Sequence, residues 1–153
     1  MSIEDTTPES LRQTVRIRTG PLTEAFAVGE LVGELELRDD RLKFTATRGK
    51  RRQRHWLERR TGIAGLAERI ERGESVVVLD APVSEASVRF SKLAFGSILI
   101  LKTAGKKWRF VFFDPRVSPD SVGAVMTYPR MIKGGKVAAP WREALRNRGS
   151  RVR

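Results

Sequence analysis

Apolar and polar residues alternate with period two through much of this chain. In "GELELRDDRLKFTATRG", Leu35 and Leu37 alternate with Glu34, Glu36 and Arg38, and Leu42, Phe44 and Ala46 alternate with Arg41, Lys43, Thr45 and Thr47. Asp39-Asp40 lies between the two runs as a tight polar turn. One apolar and one wet face predict a β-hairpin. "FGSILILKTAGKKWRFVFFD" predicts a second hairpin turning at Ala104-Gly105, with Trp108, Phe110 and Phe112 on one face and Arg109, Val111 and Phe113 on the other. Both of its strands are apolar enough to lie centrally. "ESVVVLDAPVSEASVRF" predicts two further strands around Pro82. That proline must stand at a strand end or an edge, because it has no amide hydrogen for the ladder. "QTVRIRTG" predicts a short edge strand ending at Gly20-Pro21, within a flexible leader over residues 1–20 that is frayed through residue 12.

Two segments carry helical spacing. "LAERIERG" places Leu66, Ala67 and Ile70 on one side and stops at Gly73. Gly62 and Gly65 oppose one unbroken helix running back to Trp56. "APWREALRNRG" places Trp141, Ala144 and Leu145 at i, i+3 and i+4, with Pro140 suited to a first turn and Gly149 to a stop. The order is therefore about seven short antiparallel strands and a C-terminal helix, interrupted by a basic insertion at about 49–74 and by a segment over roughly 114–139. A mainly β, α+β fold follows: a small barrel or sandwich capped by the helix face that carries Trp141. The domain spans 21–149, with a basic tail at 150–153.

The 153 residues are enough for one domain with a real core. There is no cysteine, which excludes disulfides, thiolate metal sites and a cysteine nucleophile. "MSIEDTTPES" has neither the basic nor the apolar region of a secretory signal. The apolar run "FGSILIL" is far shorter than the ~20 residues a membrane-spanning helix needs. A cytoplasmic protein, peripheral to the inner face of the plasma membrane when attached, is the expectation.

Charge sharpens the picture. The net charge is +12, with 22 arginines against 8 lysines. Residues 1–40 hold nine acids and four bases, whereas 48–60 hold seven bases and one acid, and 130–153 hold eight bases and one acid. Localised excess of this kind favours an anionic partner: lipid, nucleic acid or an acidic protein.

The hairpin "GELELRDDRLKFTA", then "LDAPVSEASV", then "GSILILKTAGKKWRFVFF" and a C-terminal helix with a tryptophan together resemble the pleckstrin-homology superfold, in its GRAM-like and bacterial variants. Gly33, Leu35, Leu37, Leu42, Phe44, Pro82, Val83, Phe110 and Trp141 occupy its packing positions, over roughly residues 22–148. The insertion and the 114–139 segment depart from the minimal pattern. The resemblance implies a lipid-headgroup site on basic loops at the open end of a barrel.

Candidate chemistry is sparse. His55 is the only histidine and has no nucleophile in recognisable spacing. Asp39 and Asp40 serve a turn, and Glu34 and Glu36 lack the rest of a metal-ligand set. "KGGK" at 133–136 lacks the spacing of a phosphate loop and reads as a flexible basic loop. Ser84 and Ser91 have no partner base, and no G-x-G-x-x-G occurs. No catalytic residue, metal or cofactor is expected. The basic run "TRGKRRQRHWLERR" carries the strongest signal. Arg48, Lys50, Arg51, Arg52 and Arg54 read as a flexible cationic arm with Trp56 as an interfacial wedge, and Lys106 and Lys107 as neighbours from another loop. The expectation is a non-enzymatic binding module held at an anionic membrane surface or a membrane-associated protein. A nucleic-acid backbone binder and a protein-docking adaptor using "QTVRIRTG" as an unpaired edge are the alternatives. A run of this kind is also what a solvated loop with a tucked tryptophan looks like.

Overall fold

A computed structural model of the chain describes residues 10–18, 31–92, 96–113, 128–148 and 151–152. The fold is mainly antiparallel β-sheet with a C-terminal helix. The strands are β1 (Ser10–Ile17), β2 (Leu31–Arg38), β3 (Arg41–Arg48), β4 (Val76–Pro82), β5 (Ser87–Phe90), β6 (Ile98–Thr103), β7 (Lys106–Phe112) and the two-residue β8 (Arg151–Val152). The helices are α1 (Arg51–Thr61), α2 (Leu66–Glu71) and α3 (Tyr128–Asn147). One sheet runs in the order β4-β3-β2-β1-β7-β6-β5-β8.

Both predicted hairpins form. Leu35, Leu37, Leu42, Phe44 and Ala46 are buried, and Asp39 takes the left-handed backbone conformation of a tight turn. Ala104 and Gly105 turn the second hairpin, also at positive φ. Pro82 ends β4, an edge strand, as its missing amide requires. A short 3-10 turn over Val83–Glu85 links β4 to β5, anchored where Val83 N donates to Asp40 O at 2.7 Å.

β1 corrects the sequence expectation of an edge. It pairs with β2 along all eight residues and with β7 through Val15, Arg16 and Ile17. It is the seam between the two halves of the sheet, and it begins at Ser10, inside the stretch read as a frayed leader. Side chains from β1 to β7 and all three helices then join one core, so the sheet rolls up on itself. Phe44 packs on Phe110 with ring centroids 5.1 Å apart, and Phe112 packs on Trp141 at 5.8 Å. Burying such rings contributes about 1.5–3 kcal/mol each.

α3 is longer than its sequence signature. Trp141, Ala144 and Leu145 are buried as their spacing predicts. The helix nevertheless begins at Tyr128, so Pro140 lies inside it and "KGGK" is helical, not a flexible loop. Gly134 explains the extension. A Cβ there would collide with the Phe112 carbonyl oxygen and stand 2.8 Å from Ser97 Cβ, so only glycine lets the helix lie this close to β7. Arg148 Nε then donates to Asp39 O at 2.8 Å, tying the helix end to the β2–β3 turn. The tail contributes β8, which pairs parallel with β5. The segments 1–9, 19–30 and 114–127 lie outside the described residues, and with them Gly20-Pro21 and the first part of the second interruption.

Candidate anion-binding surfaces

The basic run between β3 and β4 is a helix, not an extended arm. α1 starts at Arg51 with Lys50 as its N-cap, and Arg54 N donates to Lys50 O at 2.9 Å. Gly62 ends it in the left-handed conformation, its N–H bonded to Glu58 O. Gly65, also left-handed, starts α2, and Glu58 Oε1 accepts from Ala67 N at 3.3 Å to cap it. The two glycines therefore make the elbow that their positions predict. Leu57, Leu66, Ala67 and Ile70 fasten this elbow to the core.

The N-terminus of α1 breaks local rules. No side chain caps it, and its first turn contains no acid. Lys50, Arg51 and Arg52 stand there instead, all exposed. A helix N-terminus carries about half a positive charge, so each cation in the first turn costs about 0.3–1 kcal/mol where an acid would stabilise. Arg48, at the end of β3, is exposed just before them. Arg51, Arg52, His55 and Arg59 follow one another at helical spacing along the outer side of α1, each exposed or partly so.

Two residues of the sequence-predicted arm are not on offer to a ligand in this way. The Arg54 side chain is only 15% exposed; its Nη1 donates to Gly49 O at 2.7 Å and its Nη2 lies 3.8 Å from Glu71. Trp56 is partly buried against the core and is not a projecting wedge. It shares a guanidinium with Trp108: Arg60 Cζ lies 5.3 Å from the Trp56 ring centroid and 4.6 Å from that of Trp108. Arg60 Nη2 also donates to the Lys107 carbonyl oxygen, on the β7 edge beyond the last β1 rung. Lys106 Nζ donates back to Arg60 O at 2.7 Å. Burial first, and the neighbouring Arg109 charge second, lower the Arg60 pKa from its ordinary value, although an arginine stays charged. Lys106 and Lys107 thus adjoin the C-terminal end of α1, not Arg48–Arg54.

The sequence reading missed a second group. Facing away from the core on β5, β6 and β7 are Ser87, Lys102 and Lys107 in one cross-strand row and Arg89, Ile100 and Arg109 in the next. All of these except Arg109, together with Val88, line a half-open concavity of about 80 Å³; Arg109 stands beside it, across from Ile100. Arg109 first, then burial, then Lys102 and Arg89 lower the Lys107 pKa. None of these four cations makes an ion pair among the described residues. Three strand cations elsewhere do: Arg12 and Lys43 reach Glu36 at 2.6 and 3.4 Å, and Arg41 reaches Asp80 at 2.8 Å. A signal was present in the sequence, since residues 86–113 contain six bases and no acid.

No group of three or more potential metal ligands occurs among the described residues. No helix among them is long and apolar enough to cross a membrane. Comparison with family models, with curated proteins and with solved structures finds no match to this chain.

Proposed function

We propose that this protein is a non-enzymatic binding module, with a pleckstrin-homology-like architecture, that attaches peripherally to an anionic membrane surface through the N-terminal end of α1. The observation that supports this reading most is the local conflict at that helix end. Lys50, Arg51 and Arg52 stand where the helix macrodipole disfavours them, with no acid or side-chain cap to compensate. Departures from local consistency concentrate where function requires them. The outward placement of Arg48, Lys50, Arg51 and Arg52 lets them meet a surface together, and each cation near an anionic leaflet contributes about 1 kcal/mol. The helix dipole adds its positive end to the same field. Trp56 anchors α1 to the domain in this reading.

The rolled sheet offers little to single-stranded nucleic acid. Trp108, Phe110 and Phe112 are buried in the core and cannot act as stacking platforms. The test is flotation with neutral and anionic vesicles, at low and physiological salt, with and without excess duplex DNA. Anionic vesicles alone should carry the protein at physiological salt. Arg51→Glu with Arg52→Glu should weaken that binding by roughly 2–4 kcal/mol while far-UV circular dichroism stays unchanged. Unaltered flotation of the double variant refutes the proposal, and loss of vesicle binding to DNA replaces the membrane with nucleic acid.

A further inference from the structure

We propose that the outer face of β5, β6 and β7 is a phosphate-binding site, in which Arg89, Lys102, Lys107 and Arg109 surround one tetrahedral dianion and Ser87 donates its hydroxyl hydrogen. The site is separate from the α1 surface and does not depend on the membrane reading. Three observations carry it.

The first is register. Lys102 stands directly opposite Lys107, and Arg109 directly opposite Ile100, whose other neighbour is Arg89. Like charges placed opposite each other on adjacent strands destabilise a sheet, and here four converge on three short strands. The second is the missing counter-charge. Elsewhere in the sheet Glu34, Glu36 and Asp80 pair with Arg12, Lys43 and Arg41, yet residues 86–113 supply no acid at all. Arg109 Nε is buried and donates to no acceptor among the described residues, and a buried donor of this kind is costly until it is paired. The third is shape. Arg89, Lys102 and Lys107 rim a concavity of about 80 Å³, with Arg109 next to its Ile100 wall; this is room for a few waters at about 30 Å³ each or for one tetrahedral oxyanion.

The donor set selects the ligand class. A carboxylate is satisfied by a single guanidinium fork. Two forks, two ammonium groups and a hydroxyl arriving from three strands provide separate donors for the oxygens of a phosphomonoester and enough charge for its dianion. A soluble phosphomonoester and a lipid phosphomonoester headgroup share this chemistry.

The experiment titrates the full chain with inorganic phosphate and with glycerol phosphate, against sodium chloride at equal ionic strength, following Tm and amide ¹H–¹⁵N shifts. Phosphate should raise Tm saturably, well beyond chloride, with shifts concentrated at residues 87–89, 100–102 and 107–109. Lys102→Gln with Lys107→Gln changes two exposed side chains and should preserve the fold. It should weaken phosphate binding about tenfold or more. Arg51→Glu with Arg52→Glu should leave the phosphate titration unchanged, so failure of the α1 surface and failure of this site give different results. Vesicles containing phosphatidate, compared with phosphatidylglycerol at equal surface charge, separate the two sources. Preference for phosphatidate that soluble phosphate competes away assigns a lipid headgroup; phosphate binding without that preference assigns a soluble phosphomonoester. Equal responses to phosphate and chloride, or a Lys102/Lys107 variant that binds as the parent does, overturn the proposal.

Discussion

Replacing Arg60 by alanine tests how the helical insertion is attached to the sheet. The guanidinium centre is within 6 Å of two indole rings, at 4.6 Å from Trp108 and 5.3 Å from Trp56. Each cation–π contact at a partly exposed site is worth about 0.5–1 kcal/mol. The hydrogen bond to the Lys107 carbonyl adds about 1 kcal/mol, and alanine also leaves the end of the β7 edge uncovered. Relief of the repulsion from Arg109 offsets part of the loss. The net expectation is a destabilisation of about 2–3 kcal/mol, which for a chain of this size lowers Tm by roughly 4–12 °C. Arg60→Lys keeps the charge but not the flat cation that two rings share, and should lose about half as much. Urea unfolding followed by tryptophan fluorescence measures both, with an unchanged m-value showing that the same cooperative unit is being unfolded. A loss below about 0.5 kcal/mol for the alanine variant, the range of an ordinary surface change, would refute the clamp and leave α1 held by Leu57 and the α2 contacts alone.

Glu36 is buried to 6% exposure beneath Arg12 and Lys43. Burial alone would raise its pKa, but hydrogen bonds from Arg12 and Lys43 and their charges hold it below the ordinary 4.5. Its stabilisation is therefore complete above about that pH and is lost as pH falls through the lower folded value. Glu36→Gln should cost about 1–2 kcal/mol at neutral pH, discounted for the exposure of Arg12, and should flatten the acid limb of a stability–pH curve; an unchanged acid limb would show that another group governs it. Gly134→Ala should destabilise by about 1–3 kcal/mol through overpacking against β7, measured by urea unfolding, whereas a gain in stability would mean that the close helix–strand approach is wrong. Arg51→Glu with Arg52→Glu should raise stability by up to about 1 kcal/mol through the helix dipole while weakening vesicle binding; a drop in Tm would mean that those arginines hold the fold.

The two hairpins were legible because period-two alternation survives wherever one face is buried and the other is wet. The interior position of β1 was not. Arg12, Gln13, Thr14 and Arg16 give it the polar look of an edge, and only the pairing of Arg12 with Glu34 and Glu36 across the strands shows why such a strand is tolerated inside a sheet. α1 was hidden by a start with no capping residue and a surplus of cations. The first half of α3 was hidden by Gly134 and Gly135, which act as breakers in isolation, although Gly134 serves as a close-packing device against Phe112. The cations of the outer sheet face share an acid-free stretch of sequence, but that stretch does not say which of its bases face the same way. Only register collects Arg89, Lys102, Lys107 and Arg109, and register is a property of the folded ladder.

The seam at β1 has a consequence for how the chain is made. Val15 must find Phe112, and nearly all the domain is synthesised between the two. β2 can pair with β1 soon after both leave the ribosome, whereas the other side of β1 waits for a strand that arrives seconds later at roughly 5–20 residues per second. During that interval Val15 and Ile17 border an unpaired backbone edge, the kind of surface that recruits foreign strands. Arg12 and Arg16 lie along the same strand and Arg18 directly follows it, and their like charge repels a second nascent copy during the wait.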